Sequence, residues 1–204
     1  ASRACRAPGP ARCPKRDTSV TGPSTSHNAW ILAIQCAVSQ VSDETLVAAA
    51  RAIFGTAMTI TAGNGGSSAM ASHMAQAIAK PGRGPEACRP AVCLTDRVPV
   101  LTAHANDGGW DNALVESARP FLDAFASCCV IIFSSSGKSE NVIRLAQLAR
   151  ERHQPVIAFT GFDGRPLRQL ATVSLHVNSD DYEIVEPTHD ALLHRVQQHL
   201  RHAL

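Results

Sequence analysis

The feature that most constrains the fold is an unbroken apolar run, Cys128–Phe133, which ends in a polar loop at Ser134–Ser139. A strand that is apolar at every position is buried on both faces, as in a parallel sheet covered by helices. Four other short β-prone runs alternate with segments of helical apolar spacing. We therefore predict an α/β fold, with a five-stranded parallel sheet flanked by helices in a three-layer, flavodoxin-like sandwich. The predicted strands are Ala57–Ala62, Ala91–Leu94, Cys128–Phe133, Pro155–Phe159 and Val173–Val177.

The first predicted helix carries an apolar stripe that lies outside the strand–helix core. Trp30, Ile31 and Ile34 recur in it at helical spacing. Such a stripe packs either against another helix of the same chain or against a partner chain, and the residues alone leave both options open. The predicted helices are Asn28–Val41, Glu44–Phe54, one that ends near Lys80, Val98–His104, Asp111–Phe125, Glu140–Arg150, a short one after Gly164, and Glu186–Leu204.

Composition divides the chain into two parts. Residues 1–26 hold five Lys or Arg against one Asp, a charge of +4, so the remaining residues carry −2 of the net +2. We predict a disordered basic arm at 1–26, which is a tail, a transit segment or an over-extended start, and one domain at 27–204. The small net charge gives no reason to expect nucleic acid as a partner. No apolar run is long enough to span a membrane, and the seven cysteines form no C-x-x-C pair, so we predict a cytoplasmic protein.

Two loops rich in glycine and serine, Gly63–Ser68 and Ser134–Ser139, each follow a strand and precede a helix. Right-handed crossovers place such loops along one edge of a parallel sheet, where ligands bind. Hydroxyls and backbone N–H groups there meet the positive end of a helix dipole, which favours an anion such as phosphate. The alternative is a serine-rich turn whose hydroxyls only cap the helix. A nucleoside triphosphate loop is disfavoured, because that motif requires glycine where Ile132 stands.

These two loops and three other segments resemble the sugar isomerase (SIS) domain family, and within it the sedoheptulose-7-phosphate (phosphoheptose) isomerases. The matching segments are Gly63–Ser67, His73, Asn106–Asp107, Ser134–Val142 and Phe159–Gly164. The resemblance implies a homotetramer with active sites at subunit interfaces and a sugar phosphate as ligand. It assigns the phosphate to Ser134, Ser135, Ser136 and Ser139, and the sugar to Asn64, Gly65, Ser67 and Asp107.

The resemblance also implies where the acid–base chemistry takes place. In the isomerases, a glutamate four residues after a histidine, and a second histidine on the last helix, move a proton between two sugar carbons. His73 and His194 match the two histidines, but Ala77 stands where the glutamate is expected. Glu186 falls where isomerases carry glutamine, so we predict His194 and Glu186 as the catalytic pair. Some isomerases hold zinc with such a set, and we predict zinc ligands at His73, Glu186 and His194.

The alanine at position 77 leaves two functions open. The first is an aldose–ketose isomerase that acts on sedoheptulose 7-phosphate or a related sugar phosphate, which the intact serine loop and both histidines favour. The second is a non-catalytic SIS-domain protein, similar to the one that associates with the bacterial replication initiator and also has a small residue in place of the glutamate. A carboxylate beside His194, from this chain or a neighbouring copy, favours the enzyme.

Overall fold

The computed structural model describes residues 26–80 and 89–202, so the predicted basic arm lies, except for Ser26, outside the described residues. Within this part of the chain, five strands form one sheet in the order β2-β1-β3-β4-β5, and all neighbouring strands are parallel. The predicted α/β fold with a five-stranded parallel sheet is confirmed. The strands are β1 Met58–Gly63, β2 Ala91–Cys93, β3 Cys128–Ser134, β4 Val156–Thr160 and β5 Val173–His176.

Helices cover both faces of the sheet, which gives the predicted three layers. The helices are α1 His27–Ser39, α2 Asp43–Phe54, α3 Gly66–Ala79, α4 Val98–Gly108, α5 Trp110–Ala124, α6 Glu140–Glu151, α7 Leu167–Leu170 and α8 Tyr182–His202. Side chains of the central strand β3 alternate between two cores, as the two-residue period of a strand requires. Ile131 and Phe133 pack under α1, α2, α3 and α8, whereas Val130 and Ile132 pack under α4 to α7.

The last helix begins one turn earlier than the sequence predicts, at Tyr182 instead of Glu186. Pro187 therefore lies inside α8, where it has no N–H to donate to the carbonyl oxygen of Glu183 one turn before it. The indole Nε1 of Trp30 donates to that oxygen at 3.1 Å. This bond ties α1 to α8, so part of the apolar stripe of α1 packs within the chain.

The fourth helix continues past its predicted end at His104. Helix α4 runs to Gly108 and stops at Gly109, whose φ of 79° is a conformation that favours glycine. Asp107 consequently lies in the last turn of this helix. It is exposed, and its side-chain carboxylate accepts a hydrogen bond from Asn106 at 3.0 Å.

None of the helices in the two described ranges combines the length and apolar character needed to cross a bilayer. The cytoplasmic location stays a prediction. Cys93, Cys128 and Cys129 form no disulfide within those ranges.

Candidate functional site

The serine loop after β3 is held in shape by its own hydroxyls. The hydroxyl of Ser134 accepts from the N–H of Gly137 at 3.3 Å, and that of Ser136 accepts from the N–H of Lys138 at 3.4 Å. Ser139 is the N-cap residue of α6, yet its side chain makes no capping hydrogen bond. The loop therefore leaves this hydroxyl and the positive end of the helix dipole available to a ligand.

Ser135 is the residue in this loop with the clearest need for a ligand. Its side chain is buried, and its hydroxyl has no hydrogen-bond partner among the described residues. Its carbonyl oxygen accepts from the N–H of Gly161 at 2.8 Å, which fixes the backbone and hence the direction of the side chain. A buried hydroxyl without a partner costs about 1–3 kcal/mol, which makes Ser135 a candidate donor to a ligand.

Positive charge surrounds the same loop. Arg165 donates to Asp163 at 2.8 Å, and this bond, supported by the charges of Lys138 and Arg168, holds the pKa of the Asp163 carboxyl below its usual value. Lys138 belongs to the serine loop itself, and Arg168 lies in the short helix α7. Lys138 and Arg168 thus lie close enough to Asp163 to affect its ionisation, and their charges can also attract a phosphate.

The serine loop packs closely against the loop that follows β4. Gly137 has a φ of 67°, and a Cβ at this position would lie 2.2 Å from the carbonyl oxygen of Gly164. Its own carbonyl oxygen accepts from the N–H of Leu167 at 3.2 Å. Only glycine allows this approach, so the loops after β3 and β4 form one rigid edge.

A pair of amide side chains joins the two glycine- and serine-rich loops. Asn64 and Asn141 each donate to the other's amide oxygen, and both bonds measure 2.9 Å. Gly65 is the N-cap residue of α3, and Ser67 is buried in the first turn of that helix. Sequence reasoning missed Asn141 as a site residue. Its position directly after the serine block was the available signal, but only the fold places it opposite Asn64.

The two predicted histidines lie together on facing helices. His73 of α3 and His194 of α8 have ring centroids 5.0 Å apart with planes at 74°. Asp190 lies one turn before His194 on α8, and its Oδ1 is 3.3 Å from Nδ1 of His73. One ligand atom from each of these three residues lies within 4.8 Å of the others.

Glu186, the predicted third zinc ligand, is not part of this group. Eight residues separate it from His194, which is about 12 Å along a helix axis. Its carboxylate packs instead against the start of α3, where a Cβ at Gly66 would lie 2.9 Å from its Oε2. The groups that this chain brings together are thus His73, Asp190 and His194, whereas zinc at His73, Glu186 and His194 stays a prediction. Sequence reasoning missed Asp190, although its spacing of four residues from His194 was a usable signal.

A groove of about 400 Å³ lies between the start of α3 and the first turns of α8, and Asp190 is the one member of this group in its lining. Glu186 and Asp190 border it from α8, and Gly66 and Met70 border it from α3. The predicted sugar ligand Asp107 is not part of its lining, because α4 packs on the opposite face of the sheet from α3 and α8. Two imidazoles and one carboxylate are ligand types of catalytic zinc sites, so His73, Asp190 and His194 are residues of a kind that fits the predicted zinc.

Comparison with known proteins identifies relatives of the whole domain. A family model described as the SIS domain matches residues 117–193. A phosphoheptose isomerase of Mycobacterium tuberculosis (strain ATCC 25177 / H37Ra) is 33% identical over 198 residues, which cover 88% of this chain and 95% of that protein. The solved structure of phosphoheptose isomerase GmhA from Neisseria gonorrhoeae has a TM-score of 0.73 at 28% identity, and the match covers 84% of this chain and 92% of that one.

A further relative is the lincomycin biosynthesis protein LmbN of Streptomyces lincolnensis, which is 36% identical over 153 residues. That match covers 72% of this chain and 54% of LmbN, so the chain corresponds to about half of that protein.

The parallel sheet and the two loops at its edge define a SIS-domain protein, as the sequence predicts. Within this class, the chain belongs to the phosphoheptose isomerase family, since it aligns with nearly the full length of a member at 33% identity.

Proposed function

We propose that this chain is an aldose–ketose isomerase that acts on sedoheptulose 7-phosphate or a closely related sugar phosphate. The observation that carries the proposal is the buried hydroxyl of Ser135, which lacks a partner among the described residues at the positive end of α6. The mycobacterial and neisserial relatives, both named phosphoheptose isomerases, support the same reaction.

The phosphate of the sugar binds to the serine loop. Ser135 and Ser139 donate their hydroxyls to it, and Ser134 and Ser136 keep the loop in the shape that allows this. Hydrogen bonds to a charged group are worth about 1.5–3 kcal/mol, so several of them fix one end of a flexible open-chain sugar. The carbonyl end then extends from the Asn64–Asn141 pair along the groove towards His194.

Isomerisation needs a base for the carbon-bound proton and polarisation of the adjacent carbonyl oxygen. Glu186 borders the groove, but about 12 Å along the axis of α8 separates it from His194, which is too far for the two to act on neighbouring carbons. We therefore assign proton transfer to Asp190, the carboxylate beside the two imidazoles, and carbonyl polarisation to His194. A zinc ion held beside His194 would supply the same polarisation as a Lewis acid.

A carboxylate near the two imidazoles favours the enzyme over the non-catalytic binding protein. Ala77 removes the expected glutamate from α3, but Asp190 approaches His73 from α8 to within 3.3 Å. A carboxylate and two imidazoles gathered at one place are the groups that acid–base chemistry uses. The replication-initiator-associating alternative therefore has the weaker support.

We also propose that the protein assembles into a homotetramer, as its resemblance to the family implies. Trp30 of α1 bonds to α8, but Ile31 and Leu32 on the same helix stay 44% and 53% exposed. Neighbouring exposed apolar side chains on one helix favour contact with a second copy. Such a copy is also the proposed source of Asp107, which its own chain places on the other face of the sheet.

The test is turnover of sedoheptulose 7-phosphate by the purified protein, with the aldose phosphate measured by NMR. His194→Ala is expected to remove turnover. Ser135→Ala should raise KM about tenfold or more, because it deletes a hydrogen bond to a charged phosphate. The same change should not lower the free energy of unfolding, since the lost hydroxyl has no protein partner in the described structure.

Ser117→Ala is the matched control. Ser117 is also a buried serine whose hydroxyl lacks a partner among the described residues, but it lies in α5, outside both the serine loop and the lining of the groove. It should change neither KM nor turnover. An unchanged KM in Ser135→Ala would contradict the assignment of the phosphate to this loop.

A further inference from the structure

A second cavity lies at the edge of the sheet. Its volume is about 330 Å³, and its lining shares no residue with the serine loop or with the groove between α3 and α8. The lining comes from the edge strand β5 and the segment after it, from α7, and from the turn that leads out of α1 into the first turn of α2. Apart from Val41, every described side chain in this lining is polar, and none is a carboxylate.

Strand β5 presents two hydrogen-bonding side chains to this cavity. Ser174 and His176 lie two residues apart, so both leave the same face of the strand, whereas Leu175 between them packs into the core on the other face. The hydroxyl oxygen of Ser174 is shielded from water, and no described residue bonds to it. A ligand in the cavity that Ser174 lines offers this hydroxyl the partner it lacks.

The imidazole of His176 is a donor in its present surroundings. Its Nδ1 lies 3.0 Å from the hydroxyl of Thr160, which is fully buried and has no other described partner. The hydroxyl therefore donates to Nδ1, because its hydrogen would otherwise be buried without an acceptor, and the ring proton sits on Nε2. Burial lowers the pKa of His176, the charge of Arg168 lowers it further, and Asp163 raises it by less, so the ring is neutral at pH 7.

Arg168 brings a positive charge to the cavity. Among the described residues, its guanidinium has no ion pair and no side-chain hydrogen bond. The carboxylates of neighbouring segments are paired with other arginines, since Asp163 accepts from Arg165 at 2.8 Å and Asp43 lies 3.1 Å from Arg195. The charge of Arg168 is therefore left for a ligand.

The turn between α1 and α2 is tied to the segment after β5. The N–H of Asn178 donates to the side-chain oxygen of Gln40 at 2.9 Å, which leaves the NH₂ group of Gln40 as a further donor. Glu44 in the first turn of α2 is fully exposed, and hydrogen bonds from its own backbone and from Ser42 lower the pKa of its carboxyl. Its charge lies in water, which screens it from the cavity.

We propose that this cavity binds a small oxyanion, a phosphate group, through Arg168, Ser174 and His176. A guanidinium fits two oxygen atoms of a phosphate at once, and the hydroxyl and the imidazole N–H donate to the others. The groove has the opposite character, because three carboxylates line it. The volume of the cavity leaves space for a small organic group on the phosphate. This site goes beyond the proposed isomerase function and does not rest on it.

The experiment is a calorimetric titration of the full chain with inorganic phosphate in the absence of sugar. Because the serine loop is also a proposed phosphate site, the background is Ser135→Ala/Ser139→Ala. This background should still bind one phosphate ion per chain. Adding Arg168→Gln or Ser174→Ala should weaken that binding about tenfold or more, since each change deletes a hydrogen bond to a charged group.

Two matched controls lie in α5, outside the cavity. Arg119→Gln removes the same charge from an exposed arginine, and Ser117→Ala removes another buried hydroxyl that has no partner among the described residues. Both should leave the phosphate affinity unchanged. Ser174→Ala should also keep the free energy of unfolding of its background, because no described residue bonds to the lost hydroxyl.

Glycerol 3-phosphate, titrated into the same variants, distinguishes two sources of the phosphate group. Tighter binding than that of inorganic phosphate, lost in Arg168→Gln, identifies the ligand as a small phosphate ester. Equal or weaker binding identifies it as free phosphate.

Two results would overturn the inference. One is a serine-loop background that takes up no phosphate at millimolar concentration, and the other is uptake that both Arg168→Gln and Ser174→Ala leave unchanged. Either result leaves the isomerase proposal standing, because no turnover is measured. Phosphate binding in the cavity of a parent that turns over no sugar phosphate would refute the proposed function alone.

Discussion

His189 is a core histidine whose protonation should lower the free energy of unfolding. It is fully buried in α8, with its ring centroid 6.3 Å from that of Phe133 and 5.9 Å from that of Phe159. These phenylalanines come directly before Ser134 and Thr160, where the strands enter the site. Burial lowers the pKa of His189 from 6.5 to about 4, and the backbone of Thr160 offsets only part of this effect.

The sign of the effect on stability follows from proton binding in the two states. Below pH 6.5 the unfolded chain binds a proton at His189, whereas the folded protein keeps the ring neutral until about pH 4. The unfolded state therefore binds more protons in this window, and stability falls as the pH falls. One pKa unit corresponds to about 1.4 kcal/mol, so the loss reaches about 3 kcal/mol near pH 4. Above pH 6.5 this group has no effect.

His189→Leu should remove this dependence, because leucine fills a similar space and does not titrate. The assay is urea unfolding at several pH values from 7 to 4.5, with the free energy of unfolding compared between variant and parent. Between pH 7 and pH 4.5, the free energy of unfolding of the variant should rise relative to that of the parent by about 2–3 kcal/mol. Leu193→Met is the control, since it alters a buried side chain of the same helix without a titrating group. If the free energies of unfolding of variant and parent differ by the same amount at pH 7 and at pH 4.5, the reasoning is refuted.

Two further variants test the loop packing and the proposed assembly. Gly137→Ala should lower the free energy of unfolding by about 2 kcal/mol or more, because a residue with φ of 67° gains a Cβ 2.2 Å from the carbonyl oxygen of Gly164. It should also abolish thermal stabilisation by sugar phosphate, and retention of both properties would contradict the rigid loop edge. Replacing Ile31 and Leu32 by serine should reduce the mass measured by sedimentation equilibrium from four chains to fewer. A parent that sediments as a single chain would contradict the homotetramer.

The strands could be predicted because their signal is local. Cys128–Phe133 is apolar at every position, and the structure buries every one of these residues. The start of α8 could not be placed correctly, because Pro187 interrupts the backbone bonding and a side chain from α1 compensates for it. That compensation joins residues 153 positions apart, so no local pattern contains it.

The sequence could group candidate site residues correctly in space where one segment holds all of them. The serine loop is such a segment, and its residues lie together at the start of α6. The carboxylate beside the histidines was not found from the sequence, because Glu186 was chosen by its match to a family position and not by helix geometry. Asp190 lies one turn from His194 and meets His73 only when α3 and α8 pack together.

The central claim is that the chain isomerises a sugar phosphate held by the serine loop, and NMR of the parent with sedoheptulose 7-phosphate in deuterated water tests it most directly. The account predicts an aldose phosphate that carries deuterium at the carbon that receives the transferred proton, with loss of product in His194→Ala. Thermal stabilisation by the sugar phosphate without any product or deuterium would contradict it, and would identify the protein as a binding relative of the isomerases.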